Sequence, residues 1–103
     1  MTQAPMDVRQ LQQVIDRIDD ELIGLLQQRF VYSRQIGVIK QQSGQPPIDD
    51  KRVVSQRDRF ISRCIECGLD PEMSRQLLRV IADQVIAERL GNAAPPASSA
   101  TAQ

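Results

Sequence analysis

Histidine is absent from the chain. With it go the Ser-His and Cys-His nucleophile systems, imidazole proton shuttles and the usual zinc ligand sets. Tryptophan is absent too, and the aromatic share is 3%, too little for base-stacking platforms. Lys plus Arg equals Asp plus Glu at 13 each, so no net basic field exists to hold nucleic acid or an anionic membrane. No apolar run approaches the roughly 20 residues of a membrane span. Residues 1–7 show neither the basic start nor the apolar core of a secretory signal, so a cytoplasmic location is the expectation. At 103 residues there is room for one domain. The two cysteines, Cys64 and Cys67, form a Cys-x-x-Cys with no second pair and no βαβ pattern around it. They read as small buried hydrophobes on one face of a predicted helix, beside Phe60 and Ile61.

What is present is one long helical stretch from Val8 to Lys40. Val8, Leu11, Ile15, Ile18, Leu22 and Leu25 fall at alternating steps of three and four, forming one stripe along a helix. The alternation continues through Arg29, Tyr32, Ile36 and Ile39, which places an arginine inside an apolar seam. A charge in such a seam costs several kcal/mol unless something pairs with it, and no acid lies three or four residues away. Lys40 follows about three turns later and projects on nearly the same side. Two cations facing a helical core call for an anion. The alternative is that Arg29 reaches out of the seam or pairs with an acid from another helix.

Asp7 with Gln10 reads as a capping box that starts the first helix near Val8. Nothing forbids its continuation to about Gln42, where Ser43-Gly44-Gln45-Pro46-Pro47 breaks it. Thirty-odd residues give about 50 Å of helix, against a radius of gyration of about 13 Å for a compact domain this size. The remaining residues cannot cover it, so a second copy is expected and the chain should be an obligate homodimer. A second helix runs from about Asp50 to Cys67, capped by Asp49 or Asp50 and closed by Gly68. Asp70-Pro71-Glu72 opens a third, which ends near Arg89 before Gly91-Asn92. The predicted architecture is all-α: three helices, no strands, and one domain over 8–91 between a flexible lead-in at 1–7 and a disordered tail at 92–103. Asp16, Asp19, Asp20 and Glu21 fan around the outer face of the first helix and read as solvated, not as metal ligands.

Inward cations on a helical bundle suit a small organic anion held by fixed charges, with catalysis by orientation and electrostatics. In that frame, Leu11-Gln12-Gln13-Val14-Ile15-Asp16-Arg17-Ile18-Asp19, then Leu25-Leu26-Gln27-Gln28-Arg29, then Ile36-Gly37-Val38-Ile39-Lys40 resemble the first helix of all-helical chorismate mutases. The loop from Pro46 to Asp50, the Lys51-Arg52 after it and the Gly68-Leu69-Asp70 turn continue the likeness, which spans roughly residues 8 to 90. The resemblance implies an intertwined homodimer of three-helix subunits. It also implies the Claisen rearrangement of chorismate to prephenate, with no metal or organic cofactor. By resemblance, Arg29 clamps one carboxylate and Arg52 helps bind the dianion. Lys40 reaches the ether oxygen and a carboxylate, and the Asp49 backbone helps seat the ring hydroxyl.

Four positions depart from the family pattern. Gln12 stands where an arginine usually reaches into the partner's site, and Val53 where a glutamate often holds the ring hydroxyl. Near the end of the third helix, where a serine and a glutamine are common, the ungapped alignment places Val85 and Arg89. A slip of one residue would offer Gln84 and Glu88 instead. In the ungapped register one cation is lost at Gln12 and one gained at Arg89, which would take over the ether-oxygen or carboxylate contact. Arg52-Val53 after a Pro-containing loop, and Tyr32 three residues after Arg29, are also similar to isochorismate pyruvate lyases. Loss of the glutamate further resembles mutases acting on 4-amino-4-deoxychorismate. The sequence leaves these substrates open, and with them a degenerate helical dimerisation module. Neither nucleic acid nor membrane is an expected partner.

Overall fold

The computed structural model describes residues 5–91. The readings of residues 1–4 as lead-in and of 92–103 as tail lie outside the described residues. Three α-helices follow one another: α1 over Val8–Gln42, α2 over Asp50–Glu66 and α3 over Pro71–Gly91. No strand occurs among the described residues, and the all-α architecture agrees with the periodicity.

Each helix starts at an acid that answers the unpaired N–H groups of a first turn. Asp7 and Gln10 form the reciprocal capping box: the Gln10 amide donates to Asp7 Oδ1 at 2.8 Å and the Asp7 amide to Gln10 Oε1 at 2.9 Å. Of the two candidates for α2, Asp49 is the cap, its Oδ1 accepting from the Lys51 and Arg52 amides at 3.1 and 3.2 Å. Asp70 Oδ2 accepts from the Met73 amide at 2.8 Å. Asp70→Ala is expected to lower the unfolding free energy by about 1 kcal/mol, read from urea melts. In the same turn, hydrogen bonding and charge from Arg75 hold the Glu72 carboxyl below its usual range. This contribution is present above the ordinary glutamate pKa and is lost as pH falls through the lowered one.

The helices stop where glycine accepts a left-handed backbone. Gly44 has φ +72° and Gly68 φ +82°. Beyond them, the Gln45 amide bonds Lys40 O and the Leu69 amide bonds Cys64 O, both at 2.9 Å, closing each end in a Schellman pattern.

The chain divides into two compact units, with the boundary between Tyr32 and Ser33 inside α1. Of the first, residues 8–32 are helix, and the apolar stripe is uncovered: Val8, Leu11, Ile15, Ile18, Leu22 and Leu25 are between 48% and 69% exposed. In the second unit α2 packs on α3. Cys64, Leu78 and Ile81 are buried there, with Phe60, Ile61, Val85 and Ile86 half-buried around them. Ser74 is fully enclosed, and its hydroxyl is satisfied by donating to Asp70 O at 2.8 Å.

Two sequence expectations need correction. Cys64 is buried as expected, but Cys67 is exposed. It caps α2, and with φ −87° and ψ 4° it leaves the helical path before the periodicity can turn it inward. The seam through Ile36 and Ile39 is exposed within the subunit, whereas Ser33, Gly37 and Lys40 are half-buried. The inward side of this part of α1 is therefore the polar, glycine-bearing one.

No helix among the described residues is long and apolar enough to cross a membrane.

Candidate functional site

In the second unit, three segments meet at Arg89. Ser33 and Gly37 lie four residues apart and so stack on one side of α1. The Arg89 stem runs beside Gly37, where a Cβ would stand 3.7 Å from Nε and 3.8 Å from Cδ of Arg89, an ordinary van der Waals contact. The guanidinium then bridges two elements. Nη2 donates to Ser33 O and to Ser33 Oγ, both at 3.2 Å, and Nη1 donates to Pro47 O at 3.3 Å. Nε is buried with no hydrogen-bond partner among the described residues. Lys40, one turn beyond Gly37, is half-buried.

Glu88, the neighbour of Arg89, also faces α1, with its side chain only 13% exposed. Arg34 Nε lies 3.3 Å from Glu88 Oε1, and Gln84 Nε2 donates to Glu88 Oε2 at 3.0 Å. Both residues of the slipped register are thus engaged with one another, and Glu88 also with Arg34. Of the ungapped pair, Val85 is half-buried in α3 and Arg89 is held by Ser33 and Pro47.

The remaining candidates are placed as follows. Asp49 uses its carboxylate as the α2 cap, which is compatible with a backbone role toward a ligand. Arg52 and Val53 occupy the exposed first turn of α2. In the first unit, Gln12 is exposed and Arg29 half-buried.

Electrostatically the cations of the second unit fall into two groups. Arg34, Arg57, Arg63, Arg75 and Arg79 pair with Glu88, Asp58, Glu66, Glu72 and Asp83. Lys40, Lys51, Arg52, Arg59 and Arg89 pair with no carboxylate among the described residues. The positive charge of the first group is already matched locally; that of the second is available to an anion. No cluster of three or more metal-ligating side chains occurs among the described residues, and Asp16, Asp19, Asp20 and Glu21 are all exposed.

Sequence reasoning missed Ser33, the Pro47 carbonyl and Arg34, and it named Gln84 and Glu88 as alternative site residues without their pairing to each other or to Arg34. Ser33 had a signal: it stands four residues after Arg29 and four before Gly37, on one line of the helix. Pro47 had none, because it takes part through its carbonyl, which every residue has.

The class these features define is an all-helical subunit carrying cations that no carboxylate matches among the described residues. The family model described as Chorismate mutase type II matches residues 11–89. The chain belongs to that family. No curated protein and no solved structure matches it significantly.

Proposed function

We propose that this protein is a chorismate mutase, converting chorismate to prephenate by electrostatic and conformational catalysis. Chorismate carries two carboxylates and an ether oxygen that gains negative charge as its C–O bond stretches. A catalyst must neutralise the carboxylates, place a donor on that oxygen and hold the folded conformer. The observation that carries this reading is that Lys40, Arg52 and Arg89, three of the five second-unit cations without a carboxylate partner among the described residues, are the ones at the family's site positions. In it, Arg29 and Arg52 bind the carboxylates and Lys40 donates to the ether oxygen. Arg89 adds charge at the ether-oxygen or carboxylate position, and Val85 lines the site. The Asp49 backbone seats the ring hydroxyl. Gln12, from a second copy, would offer a neutral donor in place of a charge. No proton is transferred and no metal or organic cofactor is required.

The reading includes a homodimer, supported by the uncovered stripe of α1. Burying six half-exposed aliphatic side chains contributes roughly 1 kcal/mol each, about 6 kcal/mol per subunit in total, and a second copy brings the same stripe.

Val53 favours a second reading. A valine on the exposed first turn of α2 cannot hold a ring hydroxyl as a glutamate does, which suits isochorismate or 4-amino-4-deoxychorismate. One assay separates the readings: incubation with each compound, following ultraviolet absorbance and identifying the product. Prephenate from chorismate is the expected result. Pyruvate from isochorismate establishes the lyase, and preferential turnover of the amino compound its mutase. Absence of a rate with all three leaves a helical dimerisation module.

A further inference from the structure

We infer that Arg89 also acts as a positioning residue, tying the α1–α2 loop to α1 so that Asp49 and Arg52 are held for the anion. The mutase reading is assumed for the consequence in catalysis, but the tie itself stands on the hydrogen bonds. Residues 43–49 must carry the chain from the end of α1 to the Asp49 cap. Two consecutive prolines, Pro46 and Pro47, supply no N–H, so this part of the loop has few bonds of its own to make. Arg89 compensates from α3: Nη1 holds Pro47 O at 3.3 Å, two residues before the cap. Nη2 anchors the same guanidinium to Ser33 O and Oγ at 3.2 Å. The arginine stem lies alongside Gly37 of α1. Arg34 and Glu88 hold the adjacent turn of α3 to the same helix at 3.3 Å, so the anchor is stiff.

The planar fork is what allows one side chain to bridge acceptors on two elements. A lysine carries the same charge on a single nitrogen and cannot reproduce the fork. The charge and the tie are therefore separable by substitution. Asp49 caps α2 and Arg52 lies in its first turn, so a loosened loop weakens their hold on bound substrate and transition state alike. That loss appears in KM more than in kcat.

The experiment combines amide hydrogen exchange across residues 43–53 with steady-state kinetics on chorismate, using the full chain, Ser33→Ala and Arg89→Lys. Ser33→Ala removes one of the three bonds and leaves the charge intact. It is expected to accelerate exchange roughly threefold to tenfold at Lys51, Arg52 and Val53, whose amides bond Asp49. KM should rise by a similar factor, with kcat within about twofold of wild type. Arg89→Lys is expected to accelerate exchange in the same segment by at least about tenfold despite its retained charge. Wild-type exchange rates in both variants would overturn the tie, as would a fall in kcat for Arg89→Lys without any change in loop exchange. Accelerated exchange in a chain whose wild type is inert on chorismate refutes the proposed reaction and upholds the tie.

Discussion

Lys40→Ala is expected to lower kcat/KM for chorismate about 10²- to 10³-fold, equivalent to about 3–4 kcal/mol of transition-state stabilisation. The reasoning starts from where charge develops. In the ground state the ether oxygen is a weak acceptor; as its C–O bond lengthens it gathers negative charge. A fixed ammonium beside it is therefore worth more in the transition state than in the bound substrate. Lys40 suits this role because it is half-buried, where effective dielectric is lower than in bulk water, and has no carboxylate partner among the described residues. The proposal predicts equal falls in kcat and kcat/KM, since the interaction forms mainly in the transition state. A rise in KM alone would assign Lys40 to carboxylate binding. Unchanged kinetics would remove it from the site, and circular dichroism would confirm that the helices survive.

Ile18→Asp combined with Leu22→Asp is expected to convert the protein from a dimer to an 11.6 kDa monomer and to abolish turnover. Both residues lie on the uncovered stripe and are 53% and 50% exposed within one subunit. In isolation a change there should cost little. At an interface it places a carboxylate in an apolar contact, at several kcal/mol per charge. At 4–8 °C per kcal/mol for a chain of this size, the unfolding midpoint should fall by more than about 10 °C. Sedimentation and a thermal melt read both effects. Wild-type protein sedimenting as a monomer at micromolar concentration would refute the dimer, whatever the variant does.

The two expected results rest on features that were legible to different degrees. The stripe from Val8 to Leu25 could be read directly, because helical periodicity is a property of the chain alone. So could the capping box at Asp7 and Gln10 and the cap at Asp70, since capping joins residues three apart. The choice of Asp49 over Asp50 at α2 could not, because either acid satisfies the same local rule until the loop sets the backbone angles. Cys67 failed for a related reason: periodicity assigns a face only while the helix lasts, and this residue stands where it ends. Lys40 was legible as a candidate from its helical spacing and Arg89 through the family resemblance. Their surroundings were not, and neither was the inward turn of Ser33 and Gly37 in place of Ile36 and Ile39.

The sequence by itself determined three helices, their caps and stops, an apolar stripe too long for its own subunit to cover, and membership of a helical family. All of these depend on residues a few positions apart, where geometry follows from backbone and rotamer preferences. Only tertiary structure decided that Arg89 grips Ser33, 56 residues away, and Pro47, 42 residues away. The same holds for the pairing of Glu88 with Arg34 across 54 residues. An arginine or glutamate carries no local preference for a distant partner. Which charges are matched, and which stay available to a ligand, is settled when the helices pack.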